Sequence, residues 1–133
     1  MATINNPRLA ISTDPLHQRA NISVSCDVDF TDVEVNAMNL LGLRYRLECQ
    51  LLNKDLWQLK PVAILDEWTF PRLTALSVSN HEHAVFNADR AADDLRRHLI
   101  DKDKLAAELK LRNEETGAEV VTRTELVEVD LTA

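Results

Sequence analysis

Several stretches of the chain alternate apolar and polar side chains, the pattern of a β-strand with one buried face. In the clearest stretch, Ile22 to Phe30, every second residue is apolar and the residues between are serine or aspartate. A second stretch runs from Leu41 to Leu51 and ends at the turn-forming residues 53–55. We predict that both are half-buried antiparallel strands.

A third alternating stretch, Leu105 to Leu111, precedes a polar loop containing Gly117, and the chain then resumes as an alternating segment up to Leu131. The alternation slips around Leu126 and Val127, which predicts a β-bulge. Together these segments predict a C-terminal hairpin.

The segments between these stretches carry weaker patterns. Residues 56–65 are apolar but contain Pro61, which predicts an edge strand or an irregular crossing. Leu73, Ala75 and Val78 indicate one more short strand. Val33 and Val35 indicate a short extended piece, and residues 36–39 a turn or bulge.

In one segment the spacing of the apolar residues changes from every second residue to every third or fourth. The residues Ala88, Ala91, Ala92, Leu95 and Leu99 recur at spacings of three and four, as on one face of an amphipathic helix. Asn87 is a suitable N-cap for such a helix. We therefore predict one short α-helix near residues 88–99.

About seven strands and one helix in 133 residues predict a mainly β fold. The expected architecture is a single antiparallel β-sandwich domain, residues 1–133, of the immunoglobulin-like or a related type. The immunoglobulin-like assignment is an analogy of fold, and no family motif supports it. Fold alone does not give function.

The charge changes the expected partners. Fifteen Lys and Arg against 22 Asp and Glu give a net charge of −7. Such a surface repels phosphate backbones and anionic lipids, so we expect neither nucleic acid nor membranes as partners. The N-terminal residues do not resemble a signal peptide, and no apolar run is long enough to cross a bilayer. We expect a soluble cytoplasmic protein.

Two cysteines, Cys26 and Cys49, fall on the inward faces of their predicted strands. Buried free thiols are the simpler interpretation, because unpaired cysteine behaves as a small core hydrophobe. A disulfide requires an oxidising compartment and suitable Cα spacing, and the sequence leaves that alternative open.

A histidine pair is the sharpest candidate for chemistry. In an extended segment, His81 and His83 lie on one side and could share a divalent metal, with His17 or His98 as a third ligand. The glycines and nearby carboxylate of cupin-type His-x-His sites are missing here. Calcium binding is a second metal alternative, through the acidic residues Asp27, Asp29, Asp32, Asp101 and Asp103. Scattered surface acids are the simpler interpretation of these residues.

Signatures of catalysis or of cofactor binding are missing from the sequence. It contains no Gly-x-Ser-x-Gly motif, and its two glycines, Gly42 and Gly117, are too far apart for a phosphate-binding loop. The sequence therefore favours a non-enzymatic protein without an organic cofactor.

The preferred function is a protein-interaction or self-assembly module that binds a protein partner or forms a homo-oligomer. Exposed strand edges and aromatic side chains are its expected contact surface. The residues predicted there are Trp57, Trp68, Phe70, Val127 and Val129. Two alternatives stay open, a small metal-dependent enzyme or sensor using the histidine pair, and a carbohydrate- or lipid-binding sandwich using the tryptophans.

Overall fold

The computed structural model describes residues 1–55, 57–72, 77–97 and 102–131. The described residues are mainly β, with 63% strand and 12% helix, which confirms the predicted β-sandwich. The strands are β1 Thr3–Asp14, β2 Arg19–Asp29, β3 Tyr45–Asp55, β4 Gln58–Phe70, β5 His81–Ala91, β6 Asp103–Asn113, β7 Glu119–Arg123 and β8 Val127–Val129. The helices are α1 Asp32–Leu41 and α2 Ala92–Leu95.

The strands form two antiparallel sheets. One sheet has the order β1-β2-β5, and the other has the order β4-β3-β6-β7 with β8 also paired to β6. Strands β2 and β5 pair without a register shift from Arg19 opposite Ala91 to Asp29 opposite His81. This register decides which outward side chains meet across the first sheet.

The core lies between the sheets, where the alternating strands point their apolar residues. The inward positions of β2 from Ile22 to Val28 are almost completely buried, as predicted. Cys26 and Cys49 are buried free thiols, and burial raises the pKa of each to about 12. Aromatic rings pack at one end of the core, namely Tyr45, Phe30, Phe70, Trp68 and Phe86.

The prediction of an extended piece and a turn at residues 33–39 is wrong, because these residues form α1. Its start is fixed by a capping box, in which the Thr31 hydroxyl accepts from the Glu34 backbone N–H and the Glu34 carboxylate accepts from the Thr31 N–H. Its end is fixed by Gly42, which adopts a φ of 75° that other residues adopt at a cost.

The predicted helix near residues 88–99 is largely wrong. Strand β5 continues to Ala91, Asn87 lies within this strand, and of the described residues in this span only Ala92–Leu95 is helical. Continuous pairing with β2 outweighs the weak helix signal of scattered alanines. Leu99 and its neighbours 98–101 lie outside the described residues.

The other segment predictions have mixed outcomes. Strand β4 is an edge strand, as predicted, with two register shifts against β3. The slip near Leu126 is a break between β7 and β8, which pair with different parts of β6. Residues 73–76 lie outside the described residues, and Val78 is buried but not in a strand. Strand β1 was not predicted.

Candidate functional site

Two parallel rows of polar side chains cross the outer face of the β1-β2-β5 sheet. His81 and His83 both point outward from β5, while Ala84 and Phe86 further along the strand are buried. The antiparallel register sets His81 opposite Asp29 of β2 and His83 opposite Asp27. The predicted histidine pair therefore lies beside two of the aspartates.

Each histidine is held by one aspartate. The His83 Nδ1 atom lies 2.8 Å from an Asp27 carboxylate oxygen, and the His81 Nδ1 atom forms the same contact with Asp29. Strand β1 supplies a third member to each row. The Asn6 amide donates to the other Asp27 oxygen at 2.9 Å, and the Asn5 amide donates to Asp29.

The proton positions in these rows follow from the chemistry of the partners. An ionised carboxylate only accepts hydrogen bonds, so the histidine Nδ1 carries the proton. The hydrogen bond that His81 donates to Asp29 raises the pKa of His81 above its ordinary value. Hydrogen bonds from Asn6 and then His83 lower the pKa of Asp27. Asp27 and His83 thus each hold the other in a defined orientation.

The structure does not group three or more His, Cys, Asp or Glu side chains for metal binding within its described part. His17, a suggested third ligand, pairs instead with Asp14 in the turn after β1. His98 and Asp101 lie outside the described residues. Asp103 is fully buried, away from the surface acids suggested for calcium.

A second candidate surface lies on α1. The helix buries Met38 against the core, but its opposite face carries Val33, Leu40 and Leu41, which are 78%, 78% and 83% exposed. With Ala37 these residues follow the spacing of one helix face, and we call them the α1 stripe. The stripe contains no charged residue. Helix α1 is therefore apolar on two opposite faces.

Glu34 fixes the position of α1 on the sandwich. Besides capping the helix, its carboxylate accepts from the Tyr45 hydroxyl at 2.7 Å and from the Ala2 backbone N–H at 2.9 Å. Burial raises the pKa of Glu34, but the hydrogen bonds from Thr31 and Tyr45 outweigh it and lower the pKa overall. A single carboxylate thus joins the N-terminus, α1 and β3.

The residues predicted as an interaction surface are scattered. Trp57, at the turn between β3 and β4, is 93% exposed, and its role in contacts stays a prediction. Phe70 and Val129 are buried in the core, and Val127 is half-buried, so these side chains offer little contact area. Trp68 is half-buried, with the Arg72 guanidinium 3.6 Å from its ring centroid.

The two tryptophans do not form one binding platform. The chain between Trp57 and Trp68 is an extended strand, which spans roughly 35 Å at about 3.3 Å per residue. A sugar ring is much smaller than this distance. One sugar ring therefore cannot stack on both tryptophans, and carbohydrate binding at either tryptophan alone stays a prediction.

A groove of about 480 Å³ lies on the outer face of the other sheet, beside the irregular part of β4. Its lining is mostly acidic or polar, and includes Glu48, Gln50, Asp66, Glu67 and Glu108. The Glu108 carboxylate accepts hydrogen bonds from the Gln50 amide and from the Arg123 guanidinium.

Neither described helix has the length and apolar composition needed to cross a membrane. No family model matches the sequence, and a search of curated proteins finds no match. Among solved structures, the crystal structure of the "Putative ApaA Protein from Bordetella pertussis" is similar with a TM-score of 0.39 and 10% identity, over 97% of this chain and 90% of that one. A similarity this low carries no argument about function.

Sequence reasoning missed the α1 stripe, although two signals for the helix were present. Thr31 and Glu34 have the spacing of a capping box, and Gly42 follows the last helical residue. Recognising both ends of the helix would have shown that its apolar residues occupy two faces. The aspartates that hold the histidines could not be assigned, because their pairing depends on a long-range register.

Proposed function

We propose that this chain is a non-enzymatic protein-interaction module that self-associates through the α1 stripe. The observation that carries the proposal is the exposure of Val33, Leu40 and Leu41 together on one uncharged helix face. The largest contiguous apolar patch on a protein surface is often functional, and larger ones mark interaction sites. Amphipathic helices that lie on a partner commonly use this spacing of apolar anchors.

A second copy of the chain is the partner that fits the stripe best, because the stripe complements itself. Ala37 lies at its centre, with Val33 toward one end and Leu40 and Leu41 toward the other. Two helices crossing antiparallel at Ala37 bring Val33 of each copy against the leucines of the other. The small alanine side chains allow the helices to approach closely.

Charge complementarity supports the same arrangement. Asp32 begins α1, and Arg44 follows its end as an exposed residue without an ion pair in the described part of the chain. An antiparallel pair sets Asp32 of one copy near Arg44 of the other. It also aligns the two helix dipoles in the favourable, opposed sense.

The size of the stripe limits its affinity. Its three large side chains bury roughly 240 Å² per copy, because about 2 kcal/mol per aliphatic side chain corresponds to about 80 Å² at about 25 cal/mol per Å². A standard stable interface buries about 800 Å² per partner. We therefore expect a concentration-dependent dimer with a dissociation constant on the order of 10 µM or weaker.

Sedimentation velocity over a range of protein concentrations tests the proposal. The wild-type chain is expected to shift from monomer to dimer, and the double variant Leu40→Gln, Leu41→Gln to stay monomeric. These substitutions keep the net charge and suit a helix about as well as leucine. Circular dichroism verifies that α1 and the sheets are retained.

The matched control is Ile64→Gln, which replaces an equally exposed apolar residue, 79% accessible, on edge strand β4. It is expected to leave the dimer intact. A dimer that survives the leucine double variant but is lost in the control would overturn the proposal and assign self-association to the β4 edge. A wild-type chain that stays monomeric at every concentration would also overturn it.

We further propose that the sandwich is immunoglobulin-like. The order β1-β2-β5 facing β4-β3-β6-β7 supports this, since it corresponds to strands A, B and E facing C′, C, F and G. We also propose a cytoplasmic location, which the two free cysteines support because thiols stay reduced there.

A further inference from the structure

We infer that His81 and His83 form a binding site for one divalent transition-metal ion, of the zinc, nickel or copper class, coordinated through their Nε2 atoms. The site lies on the outer face of the β1-β2-β5 sheet and is separate from the α1 stripe. It is a new binding site and does not depend on the proposed self-association.

The orientation of the two rings carries this inference. Each Nδ1 atom is hydrogen-bonded to an aspartate, at 2.8 Å for His83, so Nδ1 holds the proton of the neutral ring. The lone pair of each neutral imidazole is therefore on Nε2, the atom away from the aspartate. The described residues place no hydrogen-bond partner on either Nε2 atom.

Histidine ligands in metal sites are usually supported in this way. A metal-bound histidine nearly always donates its other ring N–H to a carboxylate or a carbonyl, which fixes the tautomer and strengthens the ligand. Here Asp27 and Asp29 provide that support, and the amides of Asn6 and Asn5 hold the aspartates in turn. The aspartates are thus supporting residues rather than ligands.

The spacing of the pair permits chelation. The two histidines are neighbours on one face of β5, about 7 Å apart at the backbone. Both side chains are exposed, 65% for His81 and 61% for His83, and both lean toward β2. Two Nε2 atoms that share one zinc ion lie within about 4 Å of each other. Pivoting of each exposed ring about its Nδ1–aspartate hydrogen bond brings the two Nε2 atoms toward each other, and water fills the remaining coordination positions.

The class of metal follows from the ligands. Neutral imidazole suits copper, nickel and zinc, whereas magnesium and calcium prefer oxygen donors. Two nitrogen ligands without geometric constraint should follow the general order of affinity, with copper above nickel and zinc. Magnesium is expected not to bind at this pair.

Isothermal titration calorimetry of the full, untagged chain with Zn²⁺, Ni²⁺, Cu²⁺ and Mg²⁺ tests the inference. The expected result is one ion per chain for the first three metals, tightest for copper. His81→Ala and His83→Ala are each expected to weaken zinc binding at least tenfold. Asp27→Asn keeps both ligands and is expected to weaken binding by about 10-fold to 100-fold.

The matched control is His17→Ala. His17 is also exposed and also contacts an aspartate through Nδ1, at 2.7 Å from Asp14, but it has no neighbouring histidine. Its removal is expected to leave zinc binding unchanged. Zinc binding that is equally strong without His81 and His83, or that is lost in the His17 variant, would overturn the inference. Nuclear magnetic resonance of the imidazole signals identifies the metal-bound nitrogen, and binding through Nδ1 would also contradict it.

Discussion

Asn53 is a buried polar side chain of β3 whose hydrogen bonds reach two other elements of the sandwich. Its side-chain amide donates to the Leu95 carbonyl at 2.8 Å and to the Asp103 carboxylate at 2.9 Å. Asn53 and Asp103 are both completely buried. The Arg97 backbone N–H donates to the same carboxylate oxygen. These contacts join β3, α2 and β6.

We expect Asn53→Ala to lower the free energy of unfolding by about 3 kcal/mol, because it removes a donor from a buried carboxylate and from a buried carbonyl. Asn53→Asp should lower the free energy of unfolding more than Asn53→Ala does at neutral pH, since it places a second carboxylate beside Asp103. Urea denaturation followed by circular dichroism measures both changes.

Asn21→Ala is the matched control for Asn53, because Asn21 is an exposed asparagine on β2. Its effect is expected to stay within about 0.5 kcal/mol. If Asn53→Ala lowered the free energy of unfolding no more than Asn21→Ala does, the buried contacts of Asn53 would make no net contribution to stability.

At the scale of elements, α1 depends on the ionised form of Glu34. The folded pKa of Glu34 is below its usual value of 4.5, so the ionised form is the one that folding favours. The stability from Glu34 is therefore present above about pH 4.5 and is lost as the pH falls through the lower, folded pKa. Acid should thus weaken the attachment of α1 before it affects the apolar core.

We expect Glu34→Gln to be less stable than the wild type at pH 7 and the difference to shrink as the pH falls below about 4.5. Glutamine keeps an acceptor oxygen but cannot provide a charged partner for Thr31 and Tyr45. Denaturant midpoints measured across this pH range test the expectation. Glu115→Gln, which changes an exposed loop glutamate, should show no such convergence. A constant difference at all pH values would mean that the charge of Glu34 is irrelevant.

The same elements show what the sequence could predict. Strands β2, β3 and β6 were predicted because each buries one face, so their alternation survives in the sequence. Helix α1 was missed because its apolar residues lie on two faces, which removes the single stripe that identifies a helix. The residues of β5 fit a helical spacing by coincidence, and their true state depends on pairing with β2.

The candidate sites were predictable to different degrees for related reasons. The histidine pair is local in sequence, so its shared face was predicted from strand alternation alone. Asp27 and Asp29 lie more than fifty residues away and become its partners only through the β2-β5 register. Phe70 and Val129 are aromatic or apolar residues like any at a surface contact, and nothing in the sequence distinguishes them from core residues.

At the scale of the whole molecule, the net charge of −7 opposes the proposed self-association. Two such charges at a centre-to-centre distance of about 35 Å repel by about 6 kcal/mol in water without salt. About 2 kcal/mol of this remains at 0.01 M salt, where the screening length is about 30 Å, and almost none at 0.15 M. The Asp32–Arg44 contacts between copies are exposed and should offset only a small part of the repulsion.

The dimer is therefore expected to be about tenfold weaker at 0.01 M salt than at 0.15 M, since tenfold corresponds to about 1.4 kcal/mol. Sedimentation at both ionic strengths measures the change. Lys110→Ala, a substitution in β6 away from α1, makes the net charge more negative and should increase the salt dependence without altering the apolar contact. A dimer that instead becomes tighter at low salt would be held by ion pairs between copies, and the α1 stripe would then not be its main contact.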